Sequence, residues 1–139
     1  MLECLILGDS IAAGTHQFMP KCEALAHPGK NSHQWNREFA GRNLTAKNVI
    51  ISLGTNDHQY VKTTEELEHM RKQVHADNVF WVLPMGNSPK SGVSLAHIQS
   101  IVRDIARLNG DTVITTNRLQ ADGIHPSWAG YKELANSIK

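Results

Sequence analysis

The chain has 139 residues, of which 40 % are apolar and 19 % charged, a globular mixture. A chain this long buries roughly two-thirds of its unfolded surface without needing a metal or a disulfide. Fourteen basic against thirteen acidic residues leave a formal charge of +1, with no basic run longer than Arg71-Lys72, which excludes the electrostatic footprint of a nucleic-acid or anionic-membrane binder.

Residues 2–7 are a nearly continuous apolar run, as in a strand covered on both faces. The same N-terminal stretch carries Glu3 and is too short for a signal peptide or a membrane span. It is therefore read as belonging to a cytoplasmic protein or to part of a larger, phage-like assembly. Cys4 lies within this run and Cys22 opens the next apolar stretch; buried free thiols are preferred over a Cys4–Cys22 disulfide. Residues 23–26 are a weaker second strand, and a loop at 28–31 leads into a short helix over 32–39.

Residues 48–53 and 78–83, rich in β-branched and aromatic side chains, predict two strong strands. Between them Thr63-Thr64-Glu65-Glu66 has the pattern of a capping box, followed by Leu67, Met70 and Val74 at helical spacing. His69 and His75 are read as solvated positions on that helix, and Trp81 as core. Ser94 can cap a helix that buries Leu95, Ile98, Ile101, Val102 and Ile105. Residues 112–116 form a fifth, shorter strand. A last helix starts just after Pro126, a residue suited to a first turn, and runs to the chain end. Alternating strands and helices imply a parallel sheet with helices on both faces, in one α/β domain spanning residues 1–139.

Open parallel sheets carry their chemistry on the loops at the carboxyl ends of the strands. Gly8-Asp9-Ser10 follows the first strand, and Ser10 there is either a plain helix cap or a nucleophile beside a helix N-terminus. Ala12 replaces the second glycine of the Gly-x-Ser-x-Gly elbow, so that motif is absent. A serine hydroxyl needs an imidazole to take its proton and a carboxylate to fix the imidazole tautomer. Asp122-Gly123-Ile124-His125-Pro126 offers both within one loop. Asn56, after the third strand in Gly54-Thr55-Asn56-Asp57, has a side-chain amide able to donate to a developing oxyanion, and Gly29 an unobstructed backbone N–H. Each is equally at home in a simple turn. Asp9 reads as a brace for its loop. Trp128 either flanks the site or packs the final helix.

In combination, Gly8-Asp9-Ser10, Gly29, Gly54-Thr55-Asn56-Asp57 and Asp122-Gly123-Ile124-His125-Pro126 resemble the four sequence blocks of the SGNH (GDSL) hydrolases, in the family's order. The resemblance runs from residue 7 to about residue 131, where Gly130-Tyr131 fits the closing helix. It implies a three-layer α/β/α, flavodoxin-like fold with a parallel sheet of about five strands. It also implies Ser10 as nucleophile, His125 as general base and Asp122 as the orienting carboxylate. The oxyanion hole would be the N–H groups of Ser10 and Gly29 with the Asn56 side chain.

The expected activity is hydrolysis of carboxylic esters through an acyl-serine intermediate, without cofactor or metal. The eight histidines include no His-Glu-x-x-His and no zinc-spaced array. The short chain leaves no room for a lid, which favours short acyl groups, such as O-acetyl on carbohydrate. The expected partner is a small-molecule or carbohydrate ester, with neither nucleic acid nor a membrane span involved. An acyltransferase on the same triad and a non-catalytic carbohydrate-binding or structural module are the alternatives.

Overall fold

A computed structural model of the protein describes residues 1–86 and 92–138. Five strands, β1 (Leu2–Gly8), β2 (Glu23–Ala26), β3 (Leu44–Ser52), β4 (Val74–Val82) and β5 (Thr112–Ile114), alternate with five helices. The helices are α1 (Ser10–Phe18), α2 (Ser32–Glu38), α3 (Thr63–Lys72), α4 (Leu95–Asn109) and α5 (Trp128–Ile138). Every strand pair is parallel, in the order β2-β1-β3-β4-β5. This is the doubly wound order of flavodoxin-like proteins, so the three-layer α/β fold matches the sequence expectation.

Strand pleating sorts the side chains into two cores. Leu5 and Leu7 of β1 join Val49 and Ile51 of β3 in one core, packed under Trp35, Leu67, Met70, Val102 and Ile105 from α2, α3 and α4. Cys4 and Ile6 join Ile50 and Val82 in the other, beneath Ile11 and Ala12 of α1 and Tyr131 and Leu134 of α5. Gly14 lets α1 and α5 meet closely, since a Cβ there would strike the Tyr131 ring. Trp81 is fully buried, and its indole N–H donates to Asp111, which also takes a two-pronged bond from Arg71.

Several elements differ from the sequence expectation. Cys4 and Cys22 form a disulfide instead of remaining free thiols. The parallel register pairs Leu5 with Glu23, which puts the two preceding cysteines side by side at the sheet edge. Strands β3 and β4 each begin four residues early, because residues 44–46 pair with 74–76. Val74 and His75 therefore lie in β4 and not on the preceding helix. No side-chain capping bond closes the start of α3, because Thr63 Oγ1 donates to Asp57 instead. The capping box belongs to α2, where Asn31 and Gln34 bond reciprocally. Ser94 caps α4 as expected, its hydroxyl accepting from His97 N–H. Pro126 sits before the first turn of α5, where Ser127 accepts from the Gly130 N–H. That helix is described as far as Ile138; Lys139 lies outside the described residues. Among the described residues no helix is long and apolar enough to cross a membrane.

Candidate active site

The register sets the stage for the site. Gly8 lies level with Ala26 on one side and Ser52 on the other, so the loops that begin at residues 9, 27 and 53 leave the sheet side by side. Neighbouring strands are about 4.8 Å apart, which keeps Ser10, Gly29 and Asn56 on three adjacent loops. Gly8 is required at this point. Its φ is +144°, and a Cβ would collide with the Ser52 carbonyl.

Ser10 is the first residue of α1, so its N–H has no acceptor one turn back. Asp9 caps the helix, with Oδ1 accepting from Ile11 N–H at 3.0 Å. The Asp9 carboxyl is inaccessible to solvent, and Oδ2 has no hydrogen-bond partner among the described residues. Burial pushes its pKa up to about 7, against the opposing bonds from the Ile11 and Ala12 N–H groups and from Ser52. Its role as a brace fits the sequence reading.

Across the site, residues 118–127 fold into a compact loop. Gln120 N–H donates to the His125 carbonyl, Gly123 N–H to Gln120, and Ser127 N–H to Arg118. Within it Asp122 Oδ1 accepts from the N–H groups of Ile124 and His125, at 2.9 and 3.0 Å. Asp122 Oδ2 lies 2.6 Å from His125 Nδ1. The backbone bond from Ile124, then the His125 ring and N–H, hold the Asp122 carboxyl down at about 2. An ionised carboxylate only accepts, so the imidazole proton sits on Nδ1 and leaves Nε2 as an acceptor. That nitrogen is 2.8 Å from Ser10 Oγ. The structure thus brings Ser10, His125 and Asp122 into one hydrogen-bonded line across 115 residues of sequence. The line is open to solvent, with the His125 side chain 34 % and Asp122 42 % exposed.

Gly29 is exposed with φ +80°, and a Cβ added there would point into open space. Asn56 is half-buried, and its Nδ2 donates to the Lys30 carbonyl at 3.1 Å. Its amide therefore does not serve an oxyanion alone; one N–H ties the second loop to the third, and the other remains. The sequence reading missed Asp57 as an organiser. This buried carboxylate accepts from Ser32 N–H, Ser32 Oγ and Thr63 Oγ1, at 2.8, 2.6 and 2.8 Å. It pins the starts of α2 and α3 to the loop that carries Asn56. Tyr131, behind the site, is held up at about 12 by burial and by the nearby charges of Asp9 and Asp122. Among the described residues no three His, Cys, Asp or Glu side chains gather as a metal site.

The backbone has close counterparts among solved structures. A candidate acylhydrolase from Bacteroides fragilis superposes with a TM-score of 0.74 at 18 % identity, over 97 % of this chain and 83 % of that one. A GDSL-like lipase from Bacteroides thetaiotaomicron gives 0.73 at 18 % identity, over 97 % and 84 %. The fold is that of the SGNH (GDSL) hydrolases. The same fold is found in the C-terminal catalytic domain of peptidoglycan O-acetyltransferase A from Streptococcus pneumoniae, with a TM-score of 0.68 and 16 % identity over 98 % of this chain and 89 % of that domain. No protein-family model and no curated protein matches the chain, so its likeness to the SGNH hydrolases is one of architecture.

Proposed function

We propose that the chain is a serine hydrolase of carboxylic esters, with Ser10 as nucleophile, His125 as general base and Asp122 as the carboxylate that orients it. The observation that carries this reading is the unbroken line from Ser10 Oγ through His125 to Asp122, at 2.8 and 2.6 Å. Ser10 Oγ attacks the ester carbonyl while Nε2 takes its proton. The imidazolium returns that proton to the departing alcohol, leaving an acyl-serine. Water then attacks the acyl carbon, gives its proton to His125, and releases the acid as Ser10 is restored. The oxyanion of each tetrahedral intermediate would be met by the N–H groups of Ser10 and Gly29 and the remaining N–H of Asn56. An exposed site suits short acyl groups, which need no apolar tunnel. The architectural likeness to an O-acetyltransferase domain favours one second reading, in which an alcohol replaces water as acceptor.

A fluorophosphonate probe should label the peptide that contains Ser10. Ser10→Ala should fold normally, take no label, and lose ~10⁴–10⁶-fold in kcat on p-nitrophenyl acetate. A folded Ser10→Ala protein that keeps a tenth of the activity would remove Ser10 as nucleophile. Product analysis with an added alcohol separates hydrolysis from transfer.

A further inference from the structure

Gly29 and Asn56, two of the three expected oxyanion donors, ride on different loops, and neither takes part in a strand pairing. Gly29 lies in the turn that Lys30 N–H closes onto the His27 carbonyl, at 3.4 Å. Asn56 lies in the turn that Asp57 N–H closes onto the Gly54 carbonyl, at 3.1 Å. Two neighbouring side chains of the second turn grip the chain just past the first. Asn56 Nδ2 donates to the Lys30 carbonyl at 3.1 Å, and Asp57 Oδ1 accepts from Ser32 N–H at 2.8 Å. The other carboxylate oxygen accepts from the hydroxyls of Ser32 and Thr63, at 2.6 and 2.8 Å. Solvent is kept out of the junction, with Asp57 and Ser32 both 0 % exposed and Thr63 6 %.

An apolar plug would close this junction at a lower cost in desolvation, since the three donors to Asp57 are neutral. What the hydrogen bonds add is direction. Three convergent donors fix the carboxylate, and with it the backbone at Asn56 and Asp57, more closely than packing does, because packing has no preferred direction. The Asn56 amide is planar, so its bond to Lys30 also sets where its remaining N–H points. Gly29 is the residue before Lys30 and moves with that same bond. Donors to an oxyanion are effective only when already in place, and a misplacement of about 1 Å can cost about 10²-fold in rate.

We propose that Ser32 and Thr63, acting through Asp57, are positioning residues that set the spacing of the Gly29 and Asn56 donors. The catalytic consequence rests on the ester-hydrolase reading; the spacing itself does not. Thr63→Val keeps the side-chain shape and removes the hydroxyl, Thr63→Ser keeps the hydroxyl, and Ser32→Ala removes one bond to Oδ2 while leaving the backbone N–H bond to Oδ1. On p-nitrophenyl acetate, Thr63→Val and Ser32→Ala should each lower kcat about tenfold with KM nearly unchanged. Thr63→Ser should recover kcat to within about twofold of wild type. In Thr63→Val/Asn56→Ala the loss should be smaller than the product of the two single losses, because both changes act on one donor set. In ¹H–¹⁵N spectra the Gly29 amide and the Asn56 side-chain amide should shift in Thr63→Val and return in Thr63→Ser. An unchanged kcat in both Thr63→Val and Ser32→Ala overturns the positioning role, as does a rise in KM alone, a Thr63→Ser protein no better than Thr63→Val, or losses that multiply. If the wild-type protein turns over no ester and takes no fluorophosphonate label, the hydrolase reading fails. The two amide signals then decide the spacing alone: shifted in Thr63→Val and restored in Thr63→Ser they uphold it, and unmoved they reject it.

Discussion

Asp9 and Asp122 are the same side chain in opposite surroundings, and both lie close to Ser10. Asp9 precedes it in sequence, is sealed from solvent, and has one oxygen without a partner among the described residues. Burial raises its pKa to about 7. Asp122 is far away in sequence and exposed, and it accepts two backbone N–H bonds and the His125 ring. Those bonds lower it to about 2. Burial alone thus makes a carboxylate reluctant to ionise, while N–H donors aimed at the charged form keep it anionic. Asp122 is an anion throughout the neutral range and can fix a tautomer. Asp9 changes charge near neutrality and serves best as a helix cap.

This contrast is sharpest in activity. Asp122→Asn should leave the fold intact and lower kcat on p-nitrophenyl acetate by about 10⁴-fold, because the amide no longer holds the proton on Nδ1. Asp9→Asn should cost less than tenfold in the same assay. If the two losses were comparable, Asp122 would have no special claim on the imidazole. Asn56→Ala lies between them, with an expected loss of about 10²-fold in kcat and KM nearly unchanged. It also removes the bond to Lys30, so its melting temperature should fall slightly, by the equivalent of about 1 kcal/mol. A change in KM alone would make Asn56 a substrate contact.

The smallest effects are in stability, where the two carboxylates should slope in opposite directions with pH. Native Asp9 holds its proton up to about pH 7, whereas the unfolded chain releases it near pH 4. The native state binds the extra proton between those values, so Asp9 makes stability fall as pH rises from about 4 to 7. Asp122, depressed to about 2, supports the fold above its unfolded value and loses that support as pH falls from about 4 towards 2. Thermal melts from pH 2 to 8 should show the neutral-side slope flattened in Asp9→Asn and the acid-side slope flattened in Asp122→Asn. Curves parallel to wild type in both variants would reject the assigned environments.

What the sequence made legible followed from how local the information was. The apolar runs in β1 and in the second halves of β3 and β4 are buried on both faces, and their composition alone identifies them. The first halves of β3 and β4 were missed because Thr45, Lys47, His75 and Asp77 turn towards solvent there, interrupting the apolar signal. The Asp122–His125 unit was readable because its bonds close within three residues. Its meeting with Ser10 was readable only through the order of the four blocks. Asp57 left no trace, since its partners are 25 and 6 residues away and reach it only once α2 and α3 have docked. The α2 capping box was legible in Asn31-Ser32-His33-Gln34 and was overlooked in favour of the Thr63 pattern.

The bond between Cys4 and Cys22 encloses α1, and with it Ser10, in a covalent ring with a sequence separation of 18. By chain-entropy arguments such a closure contributes about 3 kcal/mol. It also anchors the four-residue edge strand β2 to the centre of the sheet. A further consequence is topological. A protease that nicks the backbone anywhere from residue 5 to 21 cannot release the N-terminal piece, because the two fragments stay joined through sulfur. Such a nicked protein would migrate as one species without reductant and as two with it, and the strand end that presents Ser10 would remain attached to the sheet.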